Sequence, residues 1–89
     1  MKKIAGYIVG REWYSEDNVG IQNTTTTITQ IYSEYESALN KYDSEQTKDK
    51  NWEYGYDLTW ITPIFSNGTV GNKYFDKRNF VSDVIDSAL

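Results

Sequence analysis

The chain predicts an α+β domain of two layers, an antiparallel four-stranded sheet with two helices on one face, in the order ββαββα. Three observations carry this. Residues 52 to 64 place Trp52, Tyr54, Tyr56, Leu58, Trp60 and Ile64 at even positions, with Glu53, Gly55, Asp57 and Thr59 between them. That is the period-two pattern of a strand with one aromatic and one mostly polar face. Asn67-Gly68 follows, a pair that tolerates positive φ and reverses a chain into a hairpin. Two other segments, from Tyr35 and from Phe80, repeat apolar residues at helical spacing.

Taken in order, Lys3 to Tyr14 is rich in β-branched and aromatic residues and reads as the first strand. Gly6 and Gly10 share a face with Ile4 and Ile8, leaving room there for rings of a neighbouring strand. Ser15 to Gly20 reads as a turn and Ile21 to Tyr32 as a second strand. Thr25, Thr27 and Thr29 would line one of its faces, and Thr26, Ile28 and Tyr32 the other. Ser33 and Glu36 have the spacing of a capping box, opening a helix to about Glu45 with Tyr35, Ala38, Leu39 and Tyr42 as its apolar stripe. Thr47 to Asn51 is a polar connector into the long aromatic strand. Beyond Asn67-Gly68 a fourth strand is expected over Thr69 to Phe75. Asp76 then caps a final helix whose apolar residues are Phe80, Val81, Val84, Ile85, Ala88 and Leu89.

At 89 residues the chain reads as a single domain, 1–89. It has no cysteine and no histidine. Thiolate chemistry, cysteine-type zinc sites and the commonest general base are therefore excluded. Lys2 and Lys3 before Ile4 to Gly10 imitate a secretory leader, but the apolar run is short and interrupted by glycine and tyrosine. The expectation is a cytoplasmic protein with no membrane partner.

Paired carboxylates are the remaining catalytic option. On one continuous strand, Glu53 and Asp57 would stand about 13 Å apart, beyond the roughly 5 to 9.5 Å of glycosidase pairs. Asp83 and Asp86 fall on the polar face of the last helix, and Asp43-Ser44-Glu45 with Asp49 lacks the glycine and terminal glutamate of a calcium loop. No glycine-rich loop opens a helix as a phosphate site requires. The chain is therefore expected to be no enzyme and to carry neither cofactor nor metal.

Thirteen acids against nine bases give a net charge of −4. From Glu12 to Asn40 there are five acids (Glu12, Glu16, Asp17, Glu34, Glu36) and no Lys or Arg. Such a chain is poorly suited to gripping phosphate backbones, so direct nucleic-acid binding is not expected, whereas a protein or nucleoprotein with a basic surface suits it. Fourteen aromatic residues (eight Tyr, three Trp and three Phe) exceed what so small a core needs. Tyr and Trp combine large rigid area with a polar handle, as binding hot spots do. If Tyr56, Leu58, Trp60 and Ile64 face the helices, then Tyr7, Trp13 and Tyr14 need not. The candidate binding residues are Glu12, Trp13, Tyr14, Glu16 and Asp17, with Trp52, Glu53 and Tyr54 on the long strand.

In general character (short, acidic, cysteine-free, rich in Tyr and Asn) the chain is similar to accessory proteins carried by phages and other mobile elements. Inhibitors of host nucleases, of the anti-CRISPR and antirestriction kind, are the best-known of these. The resemblance implies an inhibitor acting in the host cytoplasm by occupying a nuclease surface. Two alternatives stand beside it. One is a carbohydrate or small-ligand module stacking its ligand on Trp13, Trp52 and Tyr54. The other is a subunit that self-associates, as a homodimer, through its aromatic sheet face or its edge strands.

Overall fold

The computed structural model describes residues 3–16, 22–52 and 55–86. It is a small α+β domain, with two long N-terminal strands, β1 (Ile4–Glu16) and β2 (Gln22–Tyr32), before a helix α1 (Tyr35–Gln46). A two-residue strand β3 (Asn51–Trp52) and a long strand β4 (Gly55–Phe65) come next. The last helix, α2 (Lys77–Phe80), continues as a wide π turn over Val81–Ile85, in which the Asp86 N–H reaches back to the Val81 carbonyl. The four strands pair antiparallel in the order β2-β1-β4-β3.

The strand expected to begin at Trp52 is two strands. Trp52 pairs with Gly55 and Asn51 with Tyr56, so the chain doubles back between them. Asp57 fixes this reversal: its N–H donates to the Lys50 carbonyl (3.0 Å), and its Oδ1 accepts the Lys50 N–H (2.7 Å). The separation argued for Glu53 and Asp57 on one strand therefore no longer applies, and Glu53 lies outside the described residues.

The turn at Asn67-Gly68 is present. Gly68 has φ +87°, its N–H donates to the Phe65 carbonyl (3.0 Å), and Asn67 Oδ1 accepts the Thr69 N–H (3.0 Å). The fourth strand expected over Thr69 to Phe75 does not form. The returning chain meets β4 only at two bridges, Ile64 with Val70 and Ile61 with Tyr74. Pro63 is the physical reason. Ile61 and Phe65 both donate N–H groups to the returning chain, and Pro63, halfway between, has none to give. The return also spends one residue more than β4 between the two bridges, so a regular ladder cannot close.

The core follows the helical stripes. Ala38 and Tyr42 of α1, with Phe80 and Val84 of the last helix, form one buried cluster with Tyr7, Val9 and Ile61; Tyr35, Leu39, Tyr74, Val81 and Ile85 pack against it. Ala88 and Leu89 lie outside the described residues. Phe80 meets Tyr7 and Tyr74 edge-on at 6.0 and 5.7 Å. Tyr42 Oη donates to the Phe75 carbonyl (2.7 Å), tying α1 to the returning chain.

Asp76 caps the last helix by accepting the Arg78 N–H. The capping box expected at Ser33 and Glu36 does not form: the N-cap is Glu34 and no side chain caps it. The first residue of the helix, Tyr35, packs its ring 6.3 Å from that of Tyr7.

The sheet's two faces are the reverse of what the aromatic alternation suggested. Val9 opposes Ile61 and Tyr7 opposes Pro63, so the odd-numbered residues of β1 and β4 carry the core. Tyr56, Leu58 and Trp60 fall on the other face, opposite Tyr14, Glu12 and Gly10. Gly10 is required there, since a Cβ at that position would lie 2.7 Å from Trp60 Cε2. In β2, Val9 pairs with Gln30 but Gly10 with Ile28, so Thr29 is an extra, bulged residue. The bulge moves Tyr32 off the face of Ile28 and onto the core, beside Tyr7.

Candidate functional site

Arg11 and Glu12 are consecutive in β1, so their side chains leave opposite faces of the sheet. Each organises a polar cluster.

Arg11, opposite Thr59, sends its guanidinium to the end of α1 and the connector after it. Nη1 donates to the Glu45 carbonyl (2.6 Å) and to Thr59 Oγ1 (3.0 Å), and pairs with Asp49 Oδ1 (3.1 Å). Nη2 pairs with Asp57 Oδ1 (3.0 Å). Asp49 in turn accepts the Thr59 N–H (3.0 Å) and hydroxyl (2.7 Å). The buried Glu45 carboxylate holds Lys41 (2.8 Å) and Lys48 (3.1 Å). The hydrogen bond from Lys41, reinforced by Lys48, outweighs burial and keeps the Glu45 carboxyl below its ordinary range. Three carboxylates thus face three cations. The charges cancel, and the cluster fastens α1, the connector and β4 to β1. Among the described residues no group of three or more acidic side chains is placed to hold a metal ion.

Glu12 occupies the opposite face and is only 5% exposed. Its carboxylate accepts from Lys73 Nζ, from Tyr14 Oη and from Thr26 Oγ1 (3.3 Å). Burial alone would raise its pKa, but the donors outweigh it and hold the group below the ordinary carboxylate value. Tyr14, hydrogen-bonded to Glu12, is pushed up to about 12. Lys73 Nζ also lies 5.1 Å from the Trp60 ring centroid. Tyr14 then stacks on Tyr56, with ring centroids 5.0 Å apart and planes 24° from parallel. Exposed Ile28 and Ile31 of β2 continue the same face beside Gly10 and Ile8.

The candidate residues read from the sequence therefore separate. Glu12 is a buried, neutralised carboxylate rather than a rim charge, because Lys73 arrives from the far end of the chain to pair with it. Trp13 and Tyr14 stand on opposite faces and cannot form one patch: Trp13 is half-buried, with Cζ2 3.0 Å from a Cβ built at Gly55, while Tyr14 joins Tyr56. Glu16 ends β1 opposite Gln22, and Trp52 pairs through its backbone with Gly55. Asp17, Glu53 and Tyr54 lie outside the described residues. Sequence reasoning missed Tyr56 as a partner of Tyr14, Lys73 as the counter-ion of Glu12, and Arg11 as a centre. Only Arg11 left a trace, as the lone base between Lys3 and Lys41.

The free charge lies elsewhere. Arg11, Lys41, Lys48, Lys73, Lys77 and Arg78 are each in an ion pair with a carboxylate. Glu34, Glu36, Asp83 and Asp86 are exposed and, among the described residues, in no ion pair. No helix of the described residues is long and apolar enough to cross a membrane. Family models, curated proteins and solved structures were compared with the chain, and none matches it.

Proposed function

We propose that this chain is a binding protein rather than an enzyme, and that it occupies and inhibits a macromolecular partner through a basic surface of that partner. The observation that carries the reading is the disposition of charge: six bases are consumed in internal pairs, while Glu34, Glu36, Asp83 and Asp86 are left facing solvent. The surplus available to a partner is negative, and it would speed encounter with a basic surface. The Tyr14–Tyr56 stack supplies a rigid aromatic anchor. Both clusters that could have held reactive carboxylates are closed by cations, which favours binding over catalysis. The reading takes both helices to cover one face of the sheet, supported by their shared cluster with Tyr7, Val9 and Ile61. The likeness to inhibitors carried by mobile elements extends it: the partner is a host nuclease in the cytoplasm, obstructed rather than mimicked, since −4 is a small charge for a nucleic-acid mimic.

The test is capture from host lysate by the wild-type chain, by Tyr56→Ala and by the Glu34→Lys/Glu36→Lys double variant, at low and high salt. A captured protein with a basic surface should be lost in high salt and weakened by both variants. Capture indifferent to salt and to both variants overturns the reading.

A further inference from the structure

β2 is an edge strand of unusual composition. It stands at one end of the sheet order, paired with β1 alone. Its outer row of backbone N–H and C=O groups meets no other strand among the described residues, and such a row is a template for another strand. Proteins blunt these edges with charge, proline, brevity or a bulge. Between Gln22 and Tyr32 there is no Lys, Arg, Asp, Glu, Pro or Gly, and the strand is 11 residues long. One device is present, the bulge at Thr29, which leaves Gln22–Ile28 as a regular run of unprotected edge. Thr24 to Ile28 are all exposed.

We propose that this edge docks a second copy of the same chain, the two β2 strands pairing antiparallel over residues 22–28 with Thr25 near the two-fold axis. Charge selects this occupant. Each copy carries −4, so two copies repel over most of their surfaces. Among the described residues, β2 is the one element longer than two residues without a charged side chain, and so the place where the copies meet without like charges opposed. Antiparallel pairing about a two-fold is also self-complementary: each strand offers its copy the same donors and acceptors it needs. Pairing would place Ile28 of each copy, 56% exposed in the single chain, beside the new strand. This does not rest on the function proposed above.

Light scattering on the full-length chain tests it, together with amide hydrogen exchange. The wild type should weigh twice its 10.3 kDa, and outward amides among residues 22–28 should gain protection as concentration rises. Thr25→Lys should give a folded monomer, checked by near-ultraviolet circular dichroism, because it opposes like charges at the axis. Mixing Thr25→Lys with Thr25→Glu should restore the dimer mass, and Thr47→Lys, away from the edge, should leave it unchanged. A wild type that stays monomeric at millimolar concentration overturns the proposal. So does a dimer that Thr25→Lys leaves intact, or one whose β2 amides exchange alike at every concentration.

Discussion

Lys73 reaches across 61 residues of sequence to pair with Glu12, placing its ammonium against a buried carboxylate on the sheet face that also carries Trp60. The two partners are unequally exposed: the lysine side chain keeps 40% of its surface in solvent and the glutamate 7%. Removing one partner is therefore not equivalent to removing the other.

Lys73→Met should destabilise the fold more than Glu12→Gln. The first leaves a buried carboxylate short of its cation, costing about 1–3 kcal/mol; the second leaves a lysine that water can solvate. Urea denaturation of both variants checks the order, and equal losses would show that the pair is solvated.

Acid should act through the same group. Glu12 and Glu45 both have folded pKa values held below the ordinary 4.5. Each contributes stability that is fully present above that value and is lost as pH falls through the lower, folded one. Melting temperature should drop on acidification below the ordinary range, and Glu12→Gln should flatten that slope.

Tyr14 moves the other way. Its hydroxyl, ordinarily near 10.0, is raised to about 12 by the hydrogen bond to Glu12. The stability it contributes is complete below the ordinary value and is lost as pH rises through about 12. In an ultraviolet titration of tyrosinate, Tyr14→Phe should remove one late-ionising group and leave the early ones intact.

Arg11→Lys keeps the charge and loses the fork. One ammonium cannot reproduce a guanidinium that reaches Asp49 with Nη1 and Asp57 with Nη2. A loss of about 1–3 kcal/mol is expected, with faster hydrogen exchange at the Lys50 and Thr59 amides that those carboxylates accept.

Phe80→Ala should cost about 3–5 kcal/mol, because the ring is fully buried between Tyr7 and Tyr74. Ile85→Ala should cost clearly less, since Ile85 is only partly buried at the end of the π turn. Thermal melts of the two rank them directly.

Local chemistry was legible where it acts alone. The stripe Tyr35, Ala38, Leu39, Tyr42, the cap at Asp76 and the turn at Asn67-Gly68 each depend on a few neighbouring residues, and each is present. The alternation of residues 52 to 64 was sound as a strand signal from Gly55 onward, yet it could not say which face is covered. That choice rests on distant residues: Val9 meeting Ile61, Gly10 making room for Trp60, and Lys73 neutralising Glu12. For the same reason the acidic rim looked continuous in sequence. A charge count along the chain cannot register a counter-ion that arrives from the other end.

The irregular return after Pro63 makes the sheet one-ended. On β4 the outer edge is occupied by β3 and by a backbone that meets it at two bridges, while on β2 it meets no other strand among the described residues. Joined at β2 as proposed above, two copies would leave outermost, among the described residues, only the two-residue β3 and a return that meets β4 at two bridges, a short edge for a third copy to extend. A long, uncharged, threonine-rich edge at both ends of a sheet would seed fibrils; an edge at one end only would cap the assembly at a pair.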